Sequence, residues 1–364
     1  MLDPTNNPLS RRQNIYHLSI YLFFLASLAA TAAAWLITVK ATENRLSELF
    51  YLGNNNISTR INTRFNTYLD ILAGVQAFVE ISNGRVNLAE WNDYINRLDI
   101  LKKHPGLRSV NYIQKVPFAD KDSFVKKLIK DNINVPVYQN YDIRAIDTNY
   151  VKDQPDYYPV VYTIGLLDDR FMALGLDLSS EKKRAETLFA ARDSARPTTT
   201  PLIRFVPSPH NLGFSLILPI YQRGLTTDTV KQLRQAMGGA IYAPFDVNQF
   251  FDAILKPNWQ DAYPYLDLEV YDPESERPNE PLYDKDQSIS LTRDPSRYAF
   301  TSVQTISLPN RRWEIAIGVP KKFITDPRWV PTSLIILISG ALASLATFSL
   351  LLHRYRRLQT NCQE

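Results

Sequence analysis

Two apolar runs bracket the chain, at residues 18–39 (LSIYLFFLASLAATAAAWLITV) and 330–352 (VPTSLIILISGALASLATFSLLL), and neither contains Asp, Glu, Lys or Arg. At about 1.5 Å of rise per residue each is long enough to cross about 30 Å of hydrocarbon. The expectation is two transmembrane helices around one large polar segment. Arg11 and Arg12 precede the first run, and Arg354, Arg356 and Arg357 follow the second. Cations gather on the cytoplasmic side, so both termini are expected there, with the central domain extracytoplasmic at the inner or plasma membrane. The first run exceeds a signal-peptide core, and Lys40-Ala41-Thr42-Glu43 is a poor cleavage site, so an uncleaved anchor is expected.

The charge balance narrows the function classes. The chain has 41 Lys+Arg against 37 Asp+Glu. Five of the cations but only Asp3 and Glu364 among the acids lie in the flanks, which leaves the central segment nearly neutral. It carries no basic footprint, so no nucleic-acid partner is expected. Cys362, the only cysteine, lies in the tail, and the central domain must rest on its core without a disulfide. His17, His104, His210 and His353 are scattered and lack zinc-site spacing. No P-loop, G-x-S-x-G elbow or dinucleotide fingerprint occurs, so neither an enzyme nor a cofactor is expected.

Beyond the first run, Leu46, Phe50, Ile57, Ile61, Phe65, Tyr68, Leu72, Val75 and Val79 recur mostly three or four residues apart. That stripe predicts a long stalk helix continuous with the membrane span. Gly53-Asn54-Asn55-Asn56 interrupts the pattern and predicts a kink or local unwinding. The exposed stripe in turn predicts a homodimer through the stalk.

From residue 83 the pattern is mixed. Helices are predicted at 88–103, at 118–132 with Asp120 as cap, at 180–193 capped by Ser179 or Ser180, and at 247–255 capped by Asp246. Strands are predicted at 107–116, 160–164, 171–178, 200–206, 214–221, 239–243, 266–271, 298–308 and 313–319. The stretch 223–235 reads as a polar connector, and the Pro-rich piece 272–281 as a loop. The fold class is α+β. Asp177 is expected to order a turn, Arg184 to face solvent or pair with an acid, and Arg192 with Asp193 to form a surface pair.

Several blocks in combination resemble a known family. They are Arg64-Phe65 with Tyr68 and Leu72, Trp91-x-x-Tyr94, and Pro105-Gly106-Leu107-x-x-Val110-x-Tyr112-Ile113. Further along come Leu174-Gly175-Leu176-Asp177-Leu178, Ala190-Ala191-Arg192-Asp193, Pro201, and Leu212-Gly213-Phe214 with Leu218-Pro219-Ile220-Tyr221. Over roughly residues 60 to 320 the chain resembles the CHASE domain, the extracellular sensing domain of cytokinin-receptor-type histidine kinases and bacterial membrane receptors. The resemblance implies a stalk helix bearing two PAS-like modules, with the ligand pocket in the membrane-distal one. It places a small organic ligand against Tyr162, Leu188, Thr199, Thr200, Phe214 and Leu216. Thr199, two residues before Pro201, matches the threonine that hydrogen-bonds the ligand in the plant receptors, although 197–202 lacks their Leu-Thr-x-Pro-Phe pattern.

The organisation so predicted is a cytoplasmic N-terminus at 1–17, a span at 18–39 and a stalk at 40–82. A membrane-distal PAS-like module follows at 83–225, a membrane-proximal one at 226–329, a second span at 330–352 and a tail at 353–364. The expected function is a membrane-anchored sensor that binds a small molecule and signals across the membrane, through a separate kinase or cyclase effector because only twelve residues follow the second span. The alternatives are an envelope scaffold, or an accessory subunit of a membrane kinase docked through Ser339, Gly340, Ala343, Ser344 and Thr347.

Overall fold

The computed structural model describes residues 8–152, 155–165, 168–205, 212–255, 266–285, 291–322 and 331–360. Val206, His210, Cys362, residues 1–7 and the stretch 323–330 lie outside the described residues. The helices are α1 (Pro8–Ile81), α2 (Leu88–Leu98), α3 (Ile100–Lys103), α4 (Lys121–Asp131), α5 (Lys182–Ser194), α6 (Val230–Ala236), α7 (Val247–Leu255) and α8 (Pro331–Thr360). The strands are β1 (Ser109–Gln114), β2 (Arg144–Ala145), β3 (Val160–Gly165), β4 (Leu176–Asp177), β5 (Thr198–Thr199) and β6 (Ile203–Arg204). They continue with β7 (Leu212–Tyr221), β8 (Met237–Asp246), β9 (Asp267–Tyr271), β10 (Tyr283–Asp284), β11 (Tyr298–Leu308) and β12 (Arg311–Pro320). The fold is α+β with a long N-terminal helix, and it divides into two units.

The first unit comprises Met1–Leu52, Ser296–Phe300 and Val319–Glu364. Ile15–Ile81, which runs on beyond this unit, and Ser333–Arg357 are each long and apolar enough to cross a membrane. The two helices meet through aromatic contacts, with Phe24 stacked on Phe348 at 4.4 Å and His17 edge-on to Tyr355 at 5.0 Å. Gly340 lets them approach closely, because a Cβ there would stand 2.5 Å from Thr31 Cγ2. The hydroxyls of Thr31 and Ser344 turn back to carbonyls one turn earlier, at 2.9 and 2.8 Å, so neither is left unsatisfied. The small-residue face expected to receive a partner subunit is therefore divided. Gly340 is turned to the chain's own first helix and Ser344 is buried, while Ser339, Ala343 and Thr347 are exposed.

The second unit comprises Gly53–Pro295 and Thr301–Gly318. Its principal sheet runs β3-β1-β8-β7-β5, with β6 also paired to β7. All of these pairings are antiparallel. β8 lies at the centre, between β1 and β7. The boundary expected at 225/226 would have given β8 to the second module. The 223–235 stretch is also more than a connector: it contains α6, started by a Thr229–Gln232 capping box, and it returns the chain into the same sheet. A second sheet, β10-β9-β12-β11, follows. Its apolar face carries Trp313, which meets Phe214 edge-on at 4.9 Å and Phe251 at 5.8 Å, so the two sheets share one aromatic core around α7.

The stalk stripe is covered by the chain itself. Ile57, Ile61, Phe65, Tyr68, Leu72, Val75 and Val79 are all buried. Phe65 stacks on Phe214 at 6.3 Å and Tyr68 meets Phe245 at 5.0 Å. The expected dimer rested on this stripe facing water; the first sheet removes that reason. α1 also continues as a helix through 53–56, without the expected unwinding. Asn54 is buried there and donates to Ser302 Oγ at 2.9 Å, while Asn56 Oδ1 accepts from Arg60 Nε at 2.9 Å. These bonds offset the poor helix propensity of asparagine.

Some local expectations were displaced. The 88–103 helix breaks at Asp99, which sits at φ 50° between α2 and α3. The strand expected over 171–178 is a 3-10 segment (Asp168–Ala173) followed by two-residue β4. Gly175 between them has φ +78°, and a Cβ there would stand 2.0 Å from the Asp142 carbonyl oxygen. The strand expected over 200–206 is only β6 within the described residues, preceded by β5. α5 is capped by Glu181 rather than Ser179 or Ser180, whereas α7 has its expected cap in Asp246, which accepts from Gln249 N at 2.9 Å. Asp120 stands at the start of α4 without a side-chain cap bond.

Candidate functional site

The register of the first sheet lays one row of side chains across five strands. Thr163 pairs with Asn111, Asn111 with Tyr242, Tyr242 with Ile217, and Ile217 with Thr198. Register partners share a face, and neighbouring residues along a strand alternate faces. Thr198 Oγ1 donates to the Thr187 carbonyl of α5 at 3.0 Å, which identifies the row's face as the one α5 covers. The next row, Tyr162–Tyr112–Ile241–Leu218, points to the opposite face with α1 and α2.

The α5 face is polar and deeply buried. Arg184, at 5% exposure, donates from Nε to Tyr242 Oη at 3.2 Å, from Nη1 to Glu181 at 2.8 Å, and from Nη2 to the Arg204 carbonyl at 2.7 Å. Burial acts to lower its pKa, but Tyr242 and Glu181 outweigh that effect and raise it, so the guanidinium stays charged. Ser215 Oγ donates to Tyr242 Oη at 3.1 Å. Asn111 donates from Nδ2 to the Tyr242 carbonyl and to Ser109 Oγ, both at 2.9 Å. The carbonyl can only accept, so this fixes the amide's orientation. Asn111 Oδ1 and Thr163 Oγ1 are buried without a hydrogen-bond partner, although their residues are only 1% and 5% exposed. Two such oxygens stand in register side by side, and a buried polar group left unmet costs about 1–3 kcal/mol.

Asp177 holds the turn that precedes α5. Its carboxylate accepts from Tyr158 N at 2.8 Å, Ser179 N at 3.0 Å, Ser179 Oγ at 2.7 Å and Lys152 Nζ at 2.7 Å. The turn-ordering role expected for Asp177 matches this geometry. Arg192, expected at the surface, is buried and bonds Asp193, which Arg234 also holds at 2.6 Å.

The six residues expected to line one pocket do not share a wall. Tyr162 lies in an aromatic trio with Tyr112 and Trp91, and burial pushes its hydroxyl up to about 12, helped by Asp131 and Glu90. Phe214 and Leu216 face α1, and Thr199 pairs with Leu216 on the same side. Thr199 Oγ1 is buried and unpartnered there, while its N–H donates to the Pro309 carbonyl at 3.1 Å. Leu188 is buried on α5. Thr200 spends its hydroxyl accepting from Ser215 N at 2.8 Å. Sequence reasoning passed over Asn111, Thr163, Ser215 and Tyr242. One signal was present: Ser109 and Asn111 alternate with Val110 and Tyr112, so one face of a strand buried on both sides is polar. Among the described residues, no cluster of His, Cys, Asp and Glu could hold a metal ion.

A family model described as the CHASE domain, an extracellular domain, matches residues 84–283. Among solved structures, the periplasmic sensory domain of the Campylobacter jejuni chemoreceptor Tlp1 is similar at 9% sequence identity and a TM-score of 0.46. That alignment covers 80% of this chain and 99% of that one. No curated protein matches the sequence. The family match covers more than half of the sequence, and the chain therefore belongs to the CHASE-domain family of sensory receptors.

Proposed function

We propose that this chain is a two-pass membrane sensor whose extracytoplasmic CHASE domain binds a small molecule on the α5 face of its first sheet and passes the signal across the membrane. The observation that carries the reading is the pair of adjacent buried oxygens, Asn111 Oδ1 and Thr163 Oγ1, without partners. Asn111 Oδ1 can only accept, so the ligand must offer an N–H or O–H donor. Arg184, Tyr242 and Ser215 already form a satisfied polar wall next to it. A first sheet with one face on α1 and the other left for a ligand is what a PAS-like module means here. The candidate spans on either side of residues 84–283, with arginines beyond each, support cytoplasmic termini.

A ligand acts by favouring whichever arrangement of the helices it binds more tightly. Of the residues first expected at the pocket, Leu188 stands on the α5 side and remains a candidate contact. The test is a thermal-shift screen of the full chain in lipid nanodiscs against adenine derivatives, amino acids, short acids and aromatic metabolites. A ligand at one hundred times its Kd adds about 2.7 kcal/mol of stability. The reading requires a hit that disappears in both Asn111→Leu and Thr163→Val. Hits indifferent to both substitutions, or no hit from a folded chain, would count for the non-signalling envelope scaffold.

A further inference from the structure

A cavity of about 490 Å³, whose lining includes Arg184 but neither Asn111 nor Thr163, lies between the start of α5, the β6 region and the Pro-rich loop that precedes β10. Its volume falls in the range of small-molecule sites, about 300–1,000 Å³. The floor is apolar, and Ile203, Phe205 and Leu282 are each buried there. Three of the charged pairs around it are closed, and they differ in kind. Arg184 is locked by three hydrogen bonds, and Arg277 pairs with Glu280 within one turn of the loop. Lys183 instead reaches across the cavity to Glu276 on the loop, Nζ to carboxylate at 3.2 Å.

That bridge is the weak member. The Glu276 side chain is 74% exposed and Lys183 only 31%, so the acid gives up little when it returns to water. Exposed pairs of this kind contribute little stability. Lys183 otherwise touches the Leu202 carbonyl at a long 3.4 Å. Its ammonium thus stands at the edge of a cavity that charged side chains, Asp147 and Glu181 among them, line about as much as apolar ones do, held by a carboxylate that is easily exchanged for another.

We propose that this cavity is a second binding site, for an organic monocarboxylate with an apolar body. The ligand carboxylate takes the place of Glu276 on Lys183, and the body lies over Phe205, Ile203 and Leu282. Glu276 is then an internal competitor, and occupation releases the loop from α5.

Phenylacetate and hexanoate serve as probes, with phenylacetamide and hexanamide as neutral controls. Isothermal titration on the full chain in nanodiscs should show binding of at least one acid and of neither amide. Glu276→Gln should tighten that binding about two- to fivefold, the span expected when an exposed ion pair no longer competes. Lys183→Gln should abolish it, and Thr163→Val should leave it unchanged. Lack of binding by either acid to a chain with native melting behaviour overturns the proposal. So does binding that survives Lys183→Gln, or binding that is lost in Thr163→Val.

Discussion

Replacing Thr163 by valine should stabilise the chain when no ligand is present. Thr163 is 5% exposed on β3 and its hydroxyl oxygen has no partner, so folding strips it of water without compensation. The cost of burying an unmatched hydroxyl is about 1–3 kcal/mol. Valine keeps the branched shape, removes the polar atom and suits a strand buried on both faces. At about 2–4 °C of Tm per kcal/mol for a domain of this size class, the melting point should rise by several degrees. Calorimetry and urea unfolding of the nanodisc-held chain would measure it, with an unchanged urea slope showing that the unfolded state is unaltered. Thr163→Ser keeps the hydroxyl and serves as control: it should lose stability slightly and keep its response to ligand. A fall in Tm for Thr163→Val would refute the reasoning, because it would mean that the oxygen is already satisfied in the resting protein, for example by an ordered water.

Three further outcomes are expected. Glu181→Ala strips buried Arg184 of its carboxylate and the Lys183 and Arg184 amides of their cap, so unfolding free energy should fall by about 3–5 kcal/mol, and the double variant with Arg184→Met should recover part of it. Gly340→Val drives a side chain into Thr31. It should therefore abolish the disulfide that forms between cysteines placed at Phe24 and Phe348 in otherwise native membranes; an unaffected crosslink would contradict the close contact. Burial pushes the Asp193 carboxyl up, but hydrogen bonds from Arg234 and Arg192 prevail and hold it at about 2. A depressed folded-state pKa stabilises above the unfolded value near 4 and loses that benefit as pH falls towards 2. Asp193→Asn should thus be less stable than the parent at pH 7 by under about 1 kcal/mol, and the gap should close between pH 4 and pH 2 in parallel melting curves.

Where periodicity is strong, local structure was readable from the residues. α7 and β11 have the predicted ends, and α1 follows a stripe whose spacing admits no strand. The stripe could not say what covers it. A buried helix face reads the same whether a second copy or the chain's own sheet lies against it, and Phe65 on Phe214 answers that only in three dimensions. The site was less legible than the fold. Phe214 and Leu216 are two residues apart and so face alike, yet which helix that face meets depends on where α5 and α1 lie. Arg184 reads as a helix-start cation that faces solvent or pairs with an acid; the acid is Glu181, while the bond to Tyr242, far along the chain, exists only in the fold.

The residues alone determined the two apolar helices, the α+β class and the family, since each rests on local composition, spacing or short motifs that need no partner. The tertiary structure decided that β8 belongs to the first sheet, that the stalk stripe is internal, and that Asn111 Oδ1 and Thr163 Oγ1 stand in register side by side without hydrogen-bond partners. These outcomes rest on pairings between distant segments. A one-residue change of register would turn every side chain of a strand to the other face, and only the assembled sheet fixes that choice.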